Sequence, residues 1–250
     1  MMIYSIISLN KNPEKLKAYL QGMKGILNTD LYAVFYNEIA VVVSDLKRAN
    51  LVSDSVNALA YGDVIEKLAK QFTLLPMRFG SVLESRELII SMLEKNYYGI
   101  INNLQKVDNK FEFGLKVFCD TEKVLAELKI KLESDDKTET KSLKETQNSV
   151  YRDWVEKKLK EHRREEQLLS YVNTIIEDIT NNLEKLDSVS KFKKMVTETT
   201  IIDALFLLDK PKKEDLVQTI GDMKIKYPGL NFVLTGPWSP YNFVDITIKE

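Results

Sequence analysis

The stretch YAVFYNEIAVVV, residues 32–43, holds two apolar runs, Tyr32–Tyr36 and Ile39–Val43, separated only by Asn37 and Glu38. A two-residue gap is the length of a tight hairpin, although Asn-Glu lacks the glycine of the strongest such turn, and both arms are rich in β-branched and aromatic residues. The spacing predicts a pair of antiparallel strands.

Working outward from that hairpin, the flanking segments fall into a regular order. Upstream, Ile3 to Leu9 is a β-branched apolar run, and Pro13 stands at a helix start with Leu16, Tyr19 and Leu20 on one face behind it. Downstream, Asn57 to Phe72 places Val64, Ile65, Leu68 and Phe72 at helical spacing, and TLLPMRFG follows, with Pro76 marking an edge strand. The order is β-α-β-β-α-β. Two helices, Glu84 to Leu93 and Tyr97 to Lys106, then lead to the turn-rich VDNK, residues 107–110, which reads as a domain boundary.

The second half repeats the order. Phe111 to Phe118 is a strand, a helix runs after Cys119 to about Leu132, and ESDDKTETKSLKETQNS, residues 133–149, is too polar to bury much surface. A long helical tract covers Ser149 to Asp187, with Leu169, Val172, Ile176, Ile179, Leu183 and Leu186 spaced alternately three and four apart. Its earlier part, KKLKEHRREEQ, residues 157–167, is polar on every face, so the helix either projects into solvent there or breaks. Strands at Lys193 to Val196, Ile201 to Leu208 and Leu230 to Thr235, and a helix from Glu214 to Lys226 after Pro211, complete the half. Two successive split β-α-β units imply an α+β protein of two ferredoxin-like sheets, each covered on one face by helices. The expected domains are residues 1–108, a smaller α+β sheet-and-helix unit, and residues 109–250, a modified ferredoxin-like unit with a helical arm (about 120–187) and an aromatic tail.

Composition narrows the chemistry. The 36 basic and 37 acidic side chains leave a formal charge of -1, so no basic field is available for nucleic-acid phosphates or anionic lipid. No apolar run reaches the ~18 residues of a membrane helix. Cys119 is the only cysteine, which excludes an internal disulfide and suggests a reducing, cytoplasmic setting. His162 is the only histidine and lies in a charged run, so neither a Cys/His metal site nor a nucleophilic pair has its parts. The 9 glycines form neither GxGxxG nor GxxxxGK. Ser134 to Asp136 could offer carboxylates to a hard cation, but without spaced partners they read as solvated acids. No catalytic, metal or cofactor residues are expected.

Two stretches remain unexplained by that frame. LLPMRFGSV, residues 74–82, sets Arg78 inside an apolar run; it either points out of an edge strand or pairs with a carboxylate, for which Glu112 in FEFGLKVF is the candidate. LTGPWSPYNF, residues 234–243, gathers Gly236, Pro237, Trp238, Pro240, Tyr241 and Phe243 after the last strand. Gly-Pro ends a ladder, and the rings then either plug the protein's own core or present an aromatic surface to a partner.

These residues resemble the GvpF/GvpL family of gas vesicle proteins, in which a PLRFG-type motif and a GPWPPY-F signature occur. Here they read Pro76-Met77-Arg78-Phe79-Gly80 and Gly236-Pro237-Trp238-Ser239-Pro240-Tyr241-Asn242-Phe243. FEFGLKVF, with Glu112 and Lys116, and ALFLLD look like further family strands, while Ser239 replaces a usual proline and Tyr61 lies near a position where histidine is common. The resemblance implies a non-enzymatic assembly factor or minor component of the gas vesicle, a hollow shell built from a small, very hydrophobic subunit. It further implies that the protein binds that subunit during nucleation, limits its aggregation, and works beside other gas vesicle accessory proteins. Competing readings are a ferredoxin-like small-molecule sensor and an enzyme built on carboxylates and Arg78.

Overall fold

Pairing of the two arms of the 32–43 hairpin seeds the first of two four-stranded antiparallel sheets that share one strand order. The computed structural model describes residues 1–10, 12–120, 149–186, 188–193 and 199–244. The expected helix to Leu132 and the polar stretch 133–149, with Ser134 to Asp136, lie outside the described residues except at Cys119, Asp120 and Ser149.

In the first sheet β1 (Met2–Ser8), β2 (Leu31–Tyr36), β3 (Ile39–Ser44) and β4 (Leu74–Pro76) are ordered β2-β3-β1-β4. β1 pairs antiparallel with both β3 and β4, and β2 with β3. The hairpin register runs from Leu31 opposite Ser44 to Tyr36 opposite Ile39, and Asn37 takes the positive φ of 50° that lets two residues close it. β3 is buried at all six positions, as a central strand with both faces covered should be. α1 (Pro13–Leu20) starts on Pro13 with Asn12 accepting the Lys15 N–H, and α2 (Ser55–Ala69) starts under Asp54, which accepts from the Asn57 N–H.

The two helices expected between Glu84 and Lys106 are one, α3 (Arg86–Lys106). Glu94, Lys95 and Asn96 interrupt the apolar pattern, but none breaks a helix, and Asn96 turns its side-chain amide back onto the Met92 carbonyl at 2.8 Å. Polarity there marks an exposed turn of helix, not an end.

The second sheet consists of β5 (Lys110–Cys119), β6 (Val189–Lys193), β7 (Thr200–Asp209) and β8 (Leu230–Trp238) in the order β6-β7-β5-β8. Relative to its own first strand this is the same arrangement as in the first sheet, the ferredoxin-like order. α4 (Ser149–Glu184) is a single helix of 36 residues running unbroken through the polar 157–167 segment, and α5 (Lys213–Lys226) follows a short 3-10 turn at Lys210–Lys212. The strand expected at Lys193 to Val196 is found earlier, at Val189–Lys193, and residues 194–196 lie outside the described set.

On α4 the buried stripe is Leu168, Val172, Ile175, Ile179 and Leu183, whereas Leu169 is 44% exposed and Ile176 only half-buried. The expected face was one residue off at two of its six positions, and a third, Leu186, lies past the end of the helix and is half-buried. Leu168-Leu169 and Ile175-Ile176 are adjacent apolar pairs about 100° apart on the helix, and only packing selects between them.

By contacts the chain falls into two units, Met1–Phe113 with Leu207–Lys210 and the segment from Gly236 on, and Gly114–Phe206 with Pro211–Thr235. The aromatic tail therefore counts with the first unit by contact, where sequence had placed it in 109–250; why is visible at Glu112 and Phe243, below.

Candidate functional site

Within the first unit, Tyr4 sets up the local architecture. The β1–β3 register shifts between Ile3 and Ser5, so Tyr4 is the extra residue of a bulge. Its carbonyl accepts from the Met77 N–H at 2.9 Å and from the Tyr61 hydroxyl at 3.0 Å, while its own hydroxyl accepts the Ile26 N–H at 3.0 Å. Segment 76–83 is thus tied onto β1: Ile3 N–H donates to the Ser81 carbonyl, and Leu83 N–H to Met1.

The PMRFG residues occupy that tied segment. Pro76 closes β4, the edge strand of its sheet, where a missing N–H costs nothing. Arg78 to Ser81 form a turn closed by the Ser81 N–H on the Arg78 carbonyl at 3.0 Å, and Gly80, with φ +87°, sits at its third position, which requires positive φ. Phe79 is half-buried and meets the Tyr61 ring edge-on at 5.5 Å. Arg78 is exposed and makes no salt bridge among the described residues. The proposed Arg78–Glu112 pair does not form, because the turn that Gly80 permits points residue 78 outward.

Glu112 is buried, 3% exposed, and its carboxylate accepts from both the backbone N–H of Asn242, at 2.8 Å, and the Asn242 side-chain amide. A buried carboxylate needs donors, and the tail supplies them. Gly236, at φ +109° and followed by a cis peptide to Pro237, lies so close to β5 that an added Cβ would stand 2.8 Å from the Glu112 carbonyl oxygen. Past that approach the tail divides. Pro240 and Phe243 are buried, whereas Trp238 is 45% and Tyr241 44% exposed, and Pro237 is exposed.

Both motifs converge on Tyr61 of α2. Its ring stacks on Tyr4 at 5.3 Å, abuts Phe79, and its hydroxyl also reaches the Met77 carbonyl. Burial above all, then the neighbouring Tyr241 and Tyr4, push its phenol well above the ordinary value. Tyr241 is itself pushed up to about 12, by burial first and by the Glu66 carboxylate second. Tyr61 and Asn242 were not singled out from sequence as site residues. Tyr61 lies on the inward ridge with Val64, Ile65 and Leu68, a signal that marks it as core, and nothing local marks Asn242 as the partner of a residue 130 positions away.

These tyrosines set an alkaline limit. Each ionises near 10 in the unfolded chain, and Tyr32 is held at about 12, by burial first and then its bond to Asp45. The folded state keeps protons that the unfolded state releases, so this stability is whole below pH 10 and is lost as pH rises from 10 towards 12 and beyond. Denaturant unfolding followed from pH ~8.5 to ~11.5 should show a falling midpoint, with a shallower fall in Tyr61→Phe. A flat profile in the parent would contradict the burial of Tyr61.

Other chemistry is sparse. A cavity beside Ala69, Phe72, Lys110, Phe111, Lys210 and Pro240 measures about 10 Å³, room for one water. There Lys210 donates to the Ala69 carbonyl at 3.0 Å and lies 4.6 Å from the centre of the Phe111 ring, and burial pushes its amine below the usual lysine value. His162 is exposed, 3.4 Å from Glu166, and Cys119 is buried. Among the described residues no three His, Cys, Asp or Glu side chains are grouped to hold a metal, and no helix is long and apolar enough to cross a membrane.

The sequence profile described as "Gas vesicle synthesis protein GvpL/GvpF" matches residues 1–245. This chain belongs to the GvpL/GvpF family. Among its relatives, gas vesicle protein F1 of Halobacterium salinarum is 22% identical, over 94% of this chain and 90% of that one. Gas vesicle protein F of Nostoc sp. is 26% identical, over 91% and 92%. The fold is that of the crystal structure of GvpF from Anabaena sp., TM-score 0.77 at 21% identity, and of GvpF from Microcystis aeruginosa, TM-score 0.73 at 18%, each covering 98% of both chains. In this GvpL/GvpF chain the two motifs have distinct local geometry: PMRFG turns the chain on β1, and GPWSPYNF returns it to Glu112.

Proposed function

We propose that this chain acts in gas vesicle assembly as a non-catalytic binder of the hydrophobic shell subunit, covering apolar surface on that subunit during nucleation and limiting its aggregation. The observation that carries the reading is the division of the tail. Phe243, Pro240 and the Asn242–Glu112 bonds anchor it, and Trp238 and Tyr241 are left half-exposed on that anchored backbone. Rigid aromatic rings with little entropy left to lose suit an apolar partner.

The outer face of α2 extends the surface. Val56 and Leu59 are 73% and 74% exposed, Val52 just before the helix is 60% exposed, and Tyr241 interacts with Glu66 of the same helix. An apolar face of this kind serves association with another apolar surface and offers no polar pocket for a reaction. Family membership is the further support; contacts to other gas vesicle accessory proteins belong to the same proposal.

Deleting the tail would remove buried Phe243 and confuse folding with binding, so the test uses its exposed rings. Trp238→Ser with Tyr241→Ser should lower the unfolding free energy by no more than about 2 kcal/mol and reduce co-purification with the shell subunit by about tenfold or more. Undiminished capture and undiminished suppression of subunit aggregation by this double variant would refute the assignment of the tail.

A further inference from the structure

Helix α5 carries an apolar ridge on the side away from its core. Leu216, Ile220 and Met223 are buried, whereas Val217 is 51% and Ile225 81% exposed, and midway between them stands Gly221, where an added Cβ would meet nothing within 4 Å. Val217, Gly221 and Ile225 are spaced four apart, the row along which helices interlock most often. A glycine inside a helix costs about 1 kcal/mol relative to alanine, and no neighbour among the described residues requires one here.

The charges of the helix are polar end to end. Glu214 and Asp215 lie in its first turn and Lys224 and Lys226 in its last. Lys226 is engaged by Asp178 at 2.6 Å, but Glu214 and Lys224 have no ion pair among the described residues.

We infer that the α5 ridge is a self-association surface, on which a second copy of this chain packs its own α5 antiparallel about a twofold axis through Gly221. The geometry closes on itself. With Gly221 facing Gly221, each Val217 faces the Ile225 of the other copy, because both lie four residues from the axis, and the absence of a side chain at the crossing lets the two backbones come close. Glu214 and Asp215 of each helix, although Lys213 opens the same turn, then lie beside the last-turn Lys224 of the other, which favours the antiparallel pairing over the parallel one. One helix pair covers less than the roughly 800 Å² per partner of a standard interface, so the dimer forms at micromolar protein or above.

The test uses the full chain alone. Sedimentation across about a hundredfold concentration range around that value should show a monomer–dimer equilibrium, which Ile225→Glu, at an exposed site, weakens by about tenfold or more while leaving the unfolding midpoint unchanged. Cys119 is buried, so Gly221→Cys adds the one accessible thiol and, with dissolved oxygen and a copper catalyst as the oxidant, should convert rapidly to a disulfide-linked dimer. Lys213→Cys, whose two copies would stand about 24 Å apart along the axis at 1.5 Å per residue, should not. Val217→Cys and Ile225→Cys should cross-link when mixed and far more slowly alone. A monomer at every concentration, or linkage of Gly221→Cys no faster than of Lys213→Cys, overturns the inference. Linkage of Val217→Cys and Ile225→Cys each with itself overturns its antiparallel sense.

Discussion

Phe243→Ala should destabilise the protein by about 3–5 kcal/mol, the cost of emptying a full aromatic site in a packed interior. Phe243 is 1% exposed and ranks with Tyr4, Phe113 and Phe206 among the largest fully buried side chains. Its ring cannot be replaced by collapse of the neighbours, because the segment leading into it is fixed by Asn242 on the Glu112 carboxylate and by the buried Pro240. The check is the urea midpoint at unchanged slope, since a change in slope would indicate altered compactness and not a cavity. The same truncation at Trp238, 45% exposed, should cost about 1 kcal/mol or less. A loss below that at Phe243 would mean that the tail is not part of the folded core.

Gly236→Ala is the second large effect, with an expected loss of about 2–4 kcal/mol. Two independent costs combine. Residue 236 has φ +109°, which side-chain-bearing residues rarely adopt, and the new Cβ would lie 2.8 Å from the backbone oxygen of Glu112 and 3.1 Å from the Phe113 ring. A flexible side chain could swing aside, but a strand carbonyl inside a ladder cannot. The substitution should therefore lift the tail from Glu112 and weaken capture of the shell subunit together with stability, whereas the Trp238 and Tyr241 variant separates the two. Gly62→Ala, in α2 where nothing lies within 4 Å of the added carbon, is the matched control and should be neutral or slightly stabilising.

Periodicity was enough where a segment's neighbours in sequence are also its neighbours in space. The 32–43 hairpin, the helix start at Pro13, and the edge position of the strand ending in Pro76 are set by local chemistry, and the order of elements was legible from them. The ferredoxin-like order of both sheets follows from two successive split β-α-β units, although the central strand of the first sheet is buried on both faces and not on one as expected. The motifs were legible as unusual, and in a long chain of matching order they sufficed to indicate the family.

Choices between locally equivalent alternatives were left to tertiary structure. Leu168 and Leu169 are equally apolar, and only packing of α4 turned the first inward and left the second 44% exposed. Arg78 and Glu112 are a plausible charge pair on paper, but a turn through Gly80 sends one outward while Asn242, distant in sequence, satisfies the other. The tail's two readings could not be separated by composition, since apolar rings fit a core and an interface equally well. Folding assigned Phe243 to the first and left Trp238 and Tyr241 half-exposed, because a buried carboxylate must be given donors and the tail segment that supplies two of them fixes which rings enter with it.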